Sequence, residues 1–131
     1  MVQIPNFQYS YLYTLLKHIP DLKRNEPLNF GVIIEKDRSA VILLNQDFDT
    51  RDKRKDIDVF DKENFDEWIN YITLELETLQ GHAYILIKLS NRLKLQGLQG
   101  QYQLSSPANT HFEEELPLEQ VANQLYQELV L

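Results

Sequence analysis

The chain has 131 residues, of which 43% are hydrophobic and 25% are charged, and its formal net charge is −7 at pH 7. We expect one domain over residues 1–131, because a chain of this length buries about two-thirds of its unfolded surface in one core. The absence of cysteine excludes a disulfide scaffold, a thiolate metal site and a cysteine nucleophile. The acidic balance makes nucleic acid an unlikely partner, because phosphate binding needs positive charge.

The sequence carries no targeting signal that we can identify. The N-terminal MVQIPNFQYS has no basic stretch followed by an apolar core, so it predicts no signal peptide. The apolar runs reach about five residues, whereas a membrane helix needs about 20. We therefore expect a cytoplasmic protein that does not enter a membrane.

Three alternating tyrosines predict the first strand, over residues 7–18. A period of two with aromatic enrichment is typical of a half-buried strand. The tyrosines share one face of it: Tyr9, Tyr11 and Tyr13. The apolar residues that follow blur this pattern, so a helix over residues 8–18 is the alternative. Pro20 ends either element, because it disfavours helical dihedral angles at the residue before it.

Two further strands, residues 28–35 and 40–44, form a predicted hairpin. The first of them is almost continuously apolar, which is typical of a central strand that is covered on both faces. Gly31 interrupts this run and indicates a bulge or a close approach by another group. Residues 36–39 form a tight turn, so the two strands pair antiparallel.

A mixed-charge segment over residues 45–58 comes next. Its acidic residues are spaced somewhat like the ligands of a calcium loop: Asp47, Asp49, Asp52 and Asp58. Such a loop needs a central glycine, which is missing, and Arg51 occupies a ligand position. We interpret the segment as a solvated loop or lid and predict no metal site.

An amphipathic helix of about 18 residues is predicted after this segment, because apolar residues recur at steps of three and four. Asp61 is its predicted N-cap, and Gly81 is its predicted stop. The residues of its apolar stripe are Phe65, Trp68, Ile69, Ile72, Leu76 and Leu79.

The C-terminal part predicts two strands and a last helix. Residues 83–89 are apolar and predict a buried strand, and residues 90–100 contain leucines that alternate as in a frayed strand. Residues 101–105 predict a fifth strand, which a turn at 106–109 follows. Pro117 suits the first turn of the last helix. The apolar stripe of this helix consists of Leu118, Val121, Leu125 and Leu129.

The predicted order of elements is therefore β-β-β-α-β-β-α. Clustered strands with separate helices indicate an α+β fold. We expect a mainly antiparallel sheet of about five strands, with both helices packed on one face.

Catalytic and metal-binding motifs are not recognisable. The three histidines, His18, His82 and His111, have no spacing typical of a metal site. The serines lack the glycines of a nucleophile elbow, and the glycines near residue 100 lack the Lys-Ser/Thr of a phosphate loop. We predict no catalytic residue, no metal and no cofactor, and an enzyme is not favoured.

One polar cluster is a candidate binding site: Arg24, Glu26 and Asn29. An arginine can bind a carboxylate or a phosphate through two hydrogen bonds. The alternative is that Arg24 and Glu26 pair with each other while Asn29 completes the turn. Arg92 is the next candidate, in a segment with few other basic residues.

Most of the chain resembles, in matching order, an uncharacterised bacterial family that is catalogued as domain of unknown function 3037. The resemblance rests on a tyrosine-rich strand, an Ile-Pro-Asp segment, an Arg-x-Glu segment and an Asn-x-Gly-Val segment, at residues 9–11, 19–21, 24–26 and 28–33. Weaker similarity is found at residues 89–92 and 103–107. The sequence departs from the family after Arg92, where leucines replace aromatic residues, and at residues 108–111. Genes of this family often neighbour those for HipA-like kinases, so the resemblance implies an accessory role beside a kinase, in a toxin–antitoxin or defence context.

Three functions compete. The sequence favours an accessory or regulatory protein that binds another protein through an apolar or tyrosine-rich face containing Tyr9 and Tyr11. The alternative is an enzyme or ligand-binding domain for a phosphorylated or nucleotide-like small molecule. Its binding residues would be Arg24, Glu26, Asn29 and Arg92. Binding of single-stranded nucleic acid by the tyrosine face with Lys17, Lys23 and Arg24 comes last, because the net charge opposes it. Homo-oligomerisation stays open.

Overall fold

The computed structural model describes residues 9–19, 28–45, 62–96 and 102–131. These residues contain five strands and three helices, which we number along the chain. The strands are β1 (Tyr9–His18), β2 (Leu28–Lys36), β3 (Ser39–Leu44), β4 (Tyr102–Leu104) and β5 (Ala108–Phe112). The helices are α1 (Lys62–Leu79), α2 (Ile85–Leu95) and α3 (Leu118–Leu129).

The five strands form one antiparallel sheet in which β1 is central. One edge of β1 pairs with β2, which pairs with β3 in turn. The other edge pairs first with β5 and then with β4. Ser105 lies between these two short strands. Its N–H donates to the Leu15 carbonyl (2.9 Å) and its hydroxyl accepts the Leu15 N–H (2.8 Å), so β1 stays hydrogen-bonded between β4 and β5. The predicted α+β fold with a five-stranded antiparallel sheet is confirmed.

A bulge interrupts the pairing of β1 with β2. Leu16 lies opposite Gly31 and Lys17 lies opposite Asn29, so Phe30 is an extra residue on β2. A Cβ atom at Gly31 would lie 2.8 Å from the carbonyl oxygen of Leu43. Gly31 therefore marks both features that the sequence indicates there, a bulge and a close approach of main chain.

The predicted tight turn between β2 and β3 is also confirmed. Lys36 pairs with Ser39, and the two residues between them have positive φ angles, 51° at Asp37 and 66° at Arg38. Positive φ at both central positions is the signature of the type I′ turn, whose twist matches that of a two-stranded hairpin.

The helices cover both faces of the sheet, so the expectation of a single covered face is wrong. Helices α1 and α2 lie over one face, and their core includes Leu16, Ile33 and Leu89. Helix α3 lies over the other face, and its core includes Tyr11 and Val121. Two covered faces agree with the nearly continuous burial of β2, in which side chains of both parities lie in a core.

The predicted strand over residues 83–89 is wrong, because this segment begins helix α2. The buried residues of α2 follow helical spacing: Ile85, Leu86, Leu89 and Leu93. A short apolar run fits a strand and a buried helix equally well, so periodicity alone does not separate them. The helix continues to Leu95, and strand β5 begins at Ala108, inside the predicted turn. The described order is therefore β-β-β-α-α-β-β-α.

Candidate interaction surface

The predicted polar cluster is only partly described. Arg24 and Glu26 lie outside the described residues. The Asn29 side chain lies on the α3 face of the sheet, where its Nδ2 donates to the carbonyl oxygen of Leu129 (3.0 Å). A carbonyl in the last turn of a helix has no partner within the helix, so Asn29 joins the end of α3 to the sheet.

Arg92 lies on the opposite face of the sheet, where it joins α1 to α2. Its Nη1 donates to the carboxylate of Glu75 and lies 3.4 Å from the hydroxyl of Thr78. Burial raises the pKa of the neighbouring Tyr71 and the Glu75 carboxylate raises it further, while the Arg92 guanidinium lowers it. Asn29 and Arg92 therefore do not meet in one pocket.

The tyrosine face of β1 is packed rather than open. Tyr11 is fully buried, and its hydroxyl donates to the carbonyl of Leu116 (2.7 Å) and accepts the N–H of the same residue (2.8 Å). The Nζ of Lys36 lies 4.7 Å from the ring centre of Tyr9 and 4.4 Å from that of Tyr11. Tyr11 thus anchors the segment before α3. Of these two tyrosines, only the half-buried Tyr9 reaches the surface.

Glu35 determines where α2 begins, although it was not among the predicted site residues. Its side chain is buried, and its two carboxylate oxygens accept the N–H groups of Ile85 (2.8 Å) and Leu86 (3.1 Å). Tyr84 makes no side-chain capping bond at this end. A carboxylate at this position satisfies free N–H groups and stabilises the positive end of the helix dipole. The available signal was parity, because Glu35 follows the buried Ile33 by two residues on the same face of β2.

The outward side of α2 exposes large apolar side chains, which we call the α2 stripe. Tyr84 is 68% exposed, Ile87 46% and Leu95 86%. Ile87, the exposed Asn91 and Leu95 follow each other at steps of four, so they share one side of the helix, whereas Tyr84 precedes the first turn with a positive φ of 59°. Lys88 and Lys94 flank the stripe, and α2 carries no acidic residue. The sequence analysis does not find this stripe, because it predicts a strand over residues 83–89 and the stripe follows helical spacing.

An open cleft adjoins the α2 stripe, and Tyr84 belongs to both. The cleft has a volume of about 440 Å³ and is lined by Tyr9, Ser10, Leu12, Glu35, Lys36, Asp37, Tyr84 and Asn109. At its rim the Ser10 hydroxyl lies 2.8 Å from Nδ1 of His111 on β5. A serine nucleophile needs an imidazole that a third group orients, and no described residue bonds to the other nitrogen of His111. The cleft and the α2 stripe form one continuous candidate interaction surface.

The described residues contain no group of three or more His, Asp or Glu side chains that could hold a metal ion. Most of the segment with the calcium-like spacing, residues 46–58, lies outside them. Among the described helices, none combines the length and the apolar character that crossing a membrane requires.

Comparisons with protein-family models, with curated proteins and with solved structures find no match for this chain. The resemblance to the uncharacterised bacterial family therefore stays a prediction.

Proposed function

We propose that this chain is a small accessory or regulatory protein of the cytoplasm that binds another protein through the α2 stripe and the adjoining cleft. One observation carries the proposal: Ile87 and Leu95 are exposed on one side of α2, and Tyr84 is exposed directly before its first turn. Scattered exposed apolar residues need no explanation, whereas an aligned group that includes an aromatic residue is typical of an interface.

Burial of the α2 stripe would contribute to the binding free energy. Burying a large apolar side chain that was fully exposed contributes about 2 kcal/mol. Tyrosine is also enriched among the residues that dominate interface energies. The stripe is held in place before binding, because Glu35 fixes the start of α2 and Arg92 bonds the helix to α1. A surface that is already ordered loses little conformational entropy on association.

Charge indicates the chemistry of the partner. The stripe lies between Lys88 and Lys94, although the chain as a whole carries −7. A complementary partner offers an apolar groove with acidic residues along its rim, because opposite potentials favour encounter and register. The family resemblance adds a HipA-like kinase, in a toxin–antitoxin or defence context, as the first partner to test.

The alternative, a domain for a phosphorylated or nucleotide-like small molecule, receives no support from the described residues. Asn29 and Arg92 lie on opposite faces of the sheet, and each already bonds to the protein itself. An anion site would need both of them, or other basic residues, to point into one cavity.

The test is affinity purification of the tagged chain from its own host, followed by direct binding to the captured protein. We expect the double variant Ile87→Ser/Leu95→Ser to lose the partner. The control is Leu74→Ser, because Leu74 is 62% exposed but lies on α1 outside the stripe. The proposal is wrong if the stripe variant retains the partner, or if the control loses it equally.

A further inference from the structure

The outer edge of β3 has N–H and C=O groups that point away from β2, in the arrangement that pairing with another strand needs. In an antiparallel ladder, successive residues turn their N–H and C=O groups alternately toward and away from the neighbouring strand. The N–H of Asn45 donates to Phe30 of β2 (2.8 Å), so residues of that parity face inward. The residues of the other parity, Ala40, Ile42 and Leu44, therefore face outward.

Gln80 closes only one end of this edge. Its side-chain amide accepts the N–H of Ala40 and donates to the C=O of the same residue, both at 3.0 Å. This contact also confirms that Ala40 faces outward. Among the described residues, no other group hydrogen-bonds to the outward N–H and C=O groups of Ile42 and Leu44. Exposed strand edges are usually blocked or charged, and the described residues block this one at Ala40 alone.

The side chains next to this edge indicate what kind of strand fits there. Ile42 and Leu44 pack against the core under α1 and α2, and Val41 and Leu43 pack against the core under α3. All of them are only half-buried, so both cores reach the edge of the sheet. An added strand must therefore be uncharged and apolar on both faces. β3 itself, with the sequence SAVILL, has this character, and its lack of charge avoids repulsion between two chains of net charge −7.

We propose that β3 pairs antiparallel with β3 of a second copy of this chain, about a two-fold axis at Leu43. Ile42 then lies opposite Leu44 of the partner subunit, and each of the two symmetric pairs exchanges N–H···O bonds in both directions. A register centred on Ile42 would instead require the groups of Ala40, which Gln80 occupies. The interface uses the sheet edge and leaves the α2 stripe free, so it is independent of the proposed partner.

Disulfide cross-linking tests both the contact and the register. The chain has no cysteine, so an introduced one has no competitor. Leu43 on the axis would form a non-hydrogen-bonded pair with its symmetry copy, with Cα atoms about 4.5 Å apart, within disulfide range. Val41 would lie opposite Asn45 of the partner subunit, so the two Val41 copies are about 13 Å apart along the strands, beyond that range.

We expect Leu43→Cys to form a covalent dimer under mild oxidation at least tenfold faster than Val41→Cys. Analytical ultracentrifugation of the unmodified chain should show dimers, and Ile42→Pro should raise the dimer dissociation constant at least tenfold. The N–H that proline removes at this position points outward, so the hydrogen bonds to β2 stay intact, while the Ile42 side chain loses part of its contact with the core. Ile42→Val keeps that N–H and is the control. If circular dichroism shows that the proline variant is unfolded, Ile42→Lys takes its place.

Three results would overturn the proposal. They are a chain that stays monomeric at all concentrations, an Ile42→Pro variant that dimerises like Ile42→Val, and cross-linking that is as fast at Val41 as at Leu43. Because none of these measurements involves the α2 stripe, a failure here is distinguishable from a failure of the proposed function.

Discussion

The contact between Glu35 and the first turn of α2 predicts a large loss of stability when Glu35 is replaced by alanine. Glu35 is 8% exposed, and its carboxylate accepts two main-chain N–H groups, at 2.8 and 3.1 Å. A hydrogen bond to a charged group contributes about 1.5–3 kcal/mol, and loss of an N-cap typically costs about 1 kcal/mol. The two bonds share one carboxylate and are not additive, so we expect Glu35→Ala to lower the free energy of unfolding by about 3 kcal/mol.

Urea unfolding, followed by far-UV circular dichroism, measures this change. The matched control is Glu77→Ala, because Glu77 is an exposed glutamate on α1, and exposed substitutions usually stay within about 0.5 kcal/mol of the unmodified protein. A loss of 3 kcal/mol corresponds to a Tm decrease of roughly 10 °C for a domain of this size. Glu35→Gln keeps one acceptor oxygen, so its loss should be smaller.

Hydrogen exchange adds the local readout. The amides of Ile85 and Leu86 should exchange faster in Glu35→Ala than in Glu77→Ala, beyond the change in global stability, because they lose their acceptor. If the two alanine variants unfold within about 0.5 kcal/mol of each other, or if these two amides are unaffected, the assigned role of Glu35 is refuted.

Three further substitutions have distinct expected outcomes, each measured by urea unfolding. Gly31→Ala should cost about 2 kcal/mol, because its Cβ would lie 2.8 Å from the main-chain oxygen of Leu43; a cost near zero contradicts the close approach. Tyr11→Phe should cost about 2 kcal/mol, because it leaves both main-chain groups of Leu116 without the hydroxyl. Tyr71→Phe should be neutral or stabilising at pH 7, because the buried Tyr71 hydroxyl has no partner among the described residues. The pKa of Tyr71 is raised above its model-peptide value of 10.0, so the folded state holds this proton more tightly than the unfolded state does. Stability should therefore fall as the pH rises above 10, less steeply in Tyr71→Phe, and equal slopes contradict the raised pKa.

The sequence predicts those elements whose pattern is local. The alternation of Tyr9, Tyr11 and Tyr13 indicates β1 because a strand face repeats every two residues, and β1 has this face. The 18 residues of α1 agree with the predicted length because its apolar stripe is long enough to show the helical period. The type I′ turn at Asp37 is likewise local, since two residues between complementary strands leave few alternatives.

Elements that depend on distant partners could not be predicted. Strand β5, with the sequence ANTHF, has no apolar alternation, and its conformation comes from pairing with residues 9–13 of β1. Helix α2 begins with a short apolar run that fits a strand and a buried helix equally well, and its start is fixed by Glu35, which lies 50 residues earlier in the chain. The apolar run of β2 indicates two covered faces, but which helix covers which face depends on packing between distant segments.

The polar candidates among the described residues already bond to the protein itself. Asn29 closes the end of α3, Arg92 joins two helices and the Tyr11 hydroxyl completes the main chain of Leu116, so each satisfies groups that the fold itself leaves unpaired. A side chain that holds an element in place cannot turn toward a ligand without breaking that contact, so these residues serve the fold first.

On the surface of the described residues, two features stand without a partner. Apolar side chains are exposed along α2, and no described residue hydrogen-bonds to the outward main-chain groups of Ile42 and Leu44 on β3. Neither feature recognises a small anion, and both are satisfied by another polypeptide, the first by an apolar groove and the second by an added strand. The α2 stripe and the edge of β3 differ in chemistry and lie on different elements, so one chain can bind two partners at once. If the β3 dimer forms, it presents the α2 stripe twice, and a partner with two grooves would bind the dimer more tightly than the Ile42→Pro monomer.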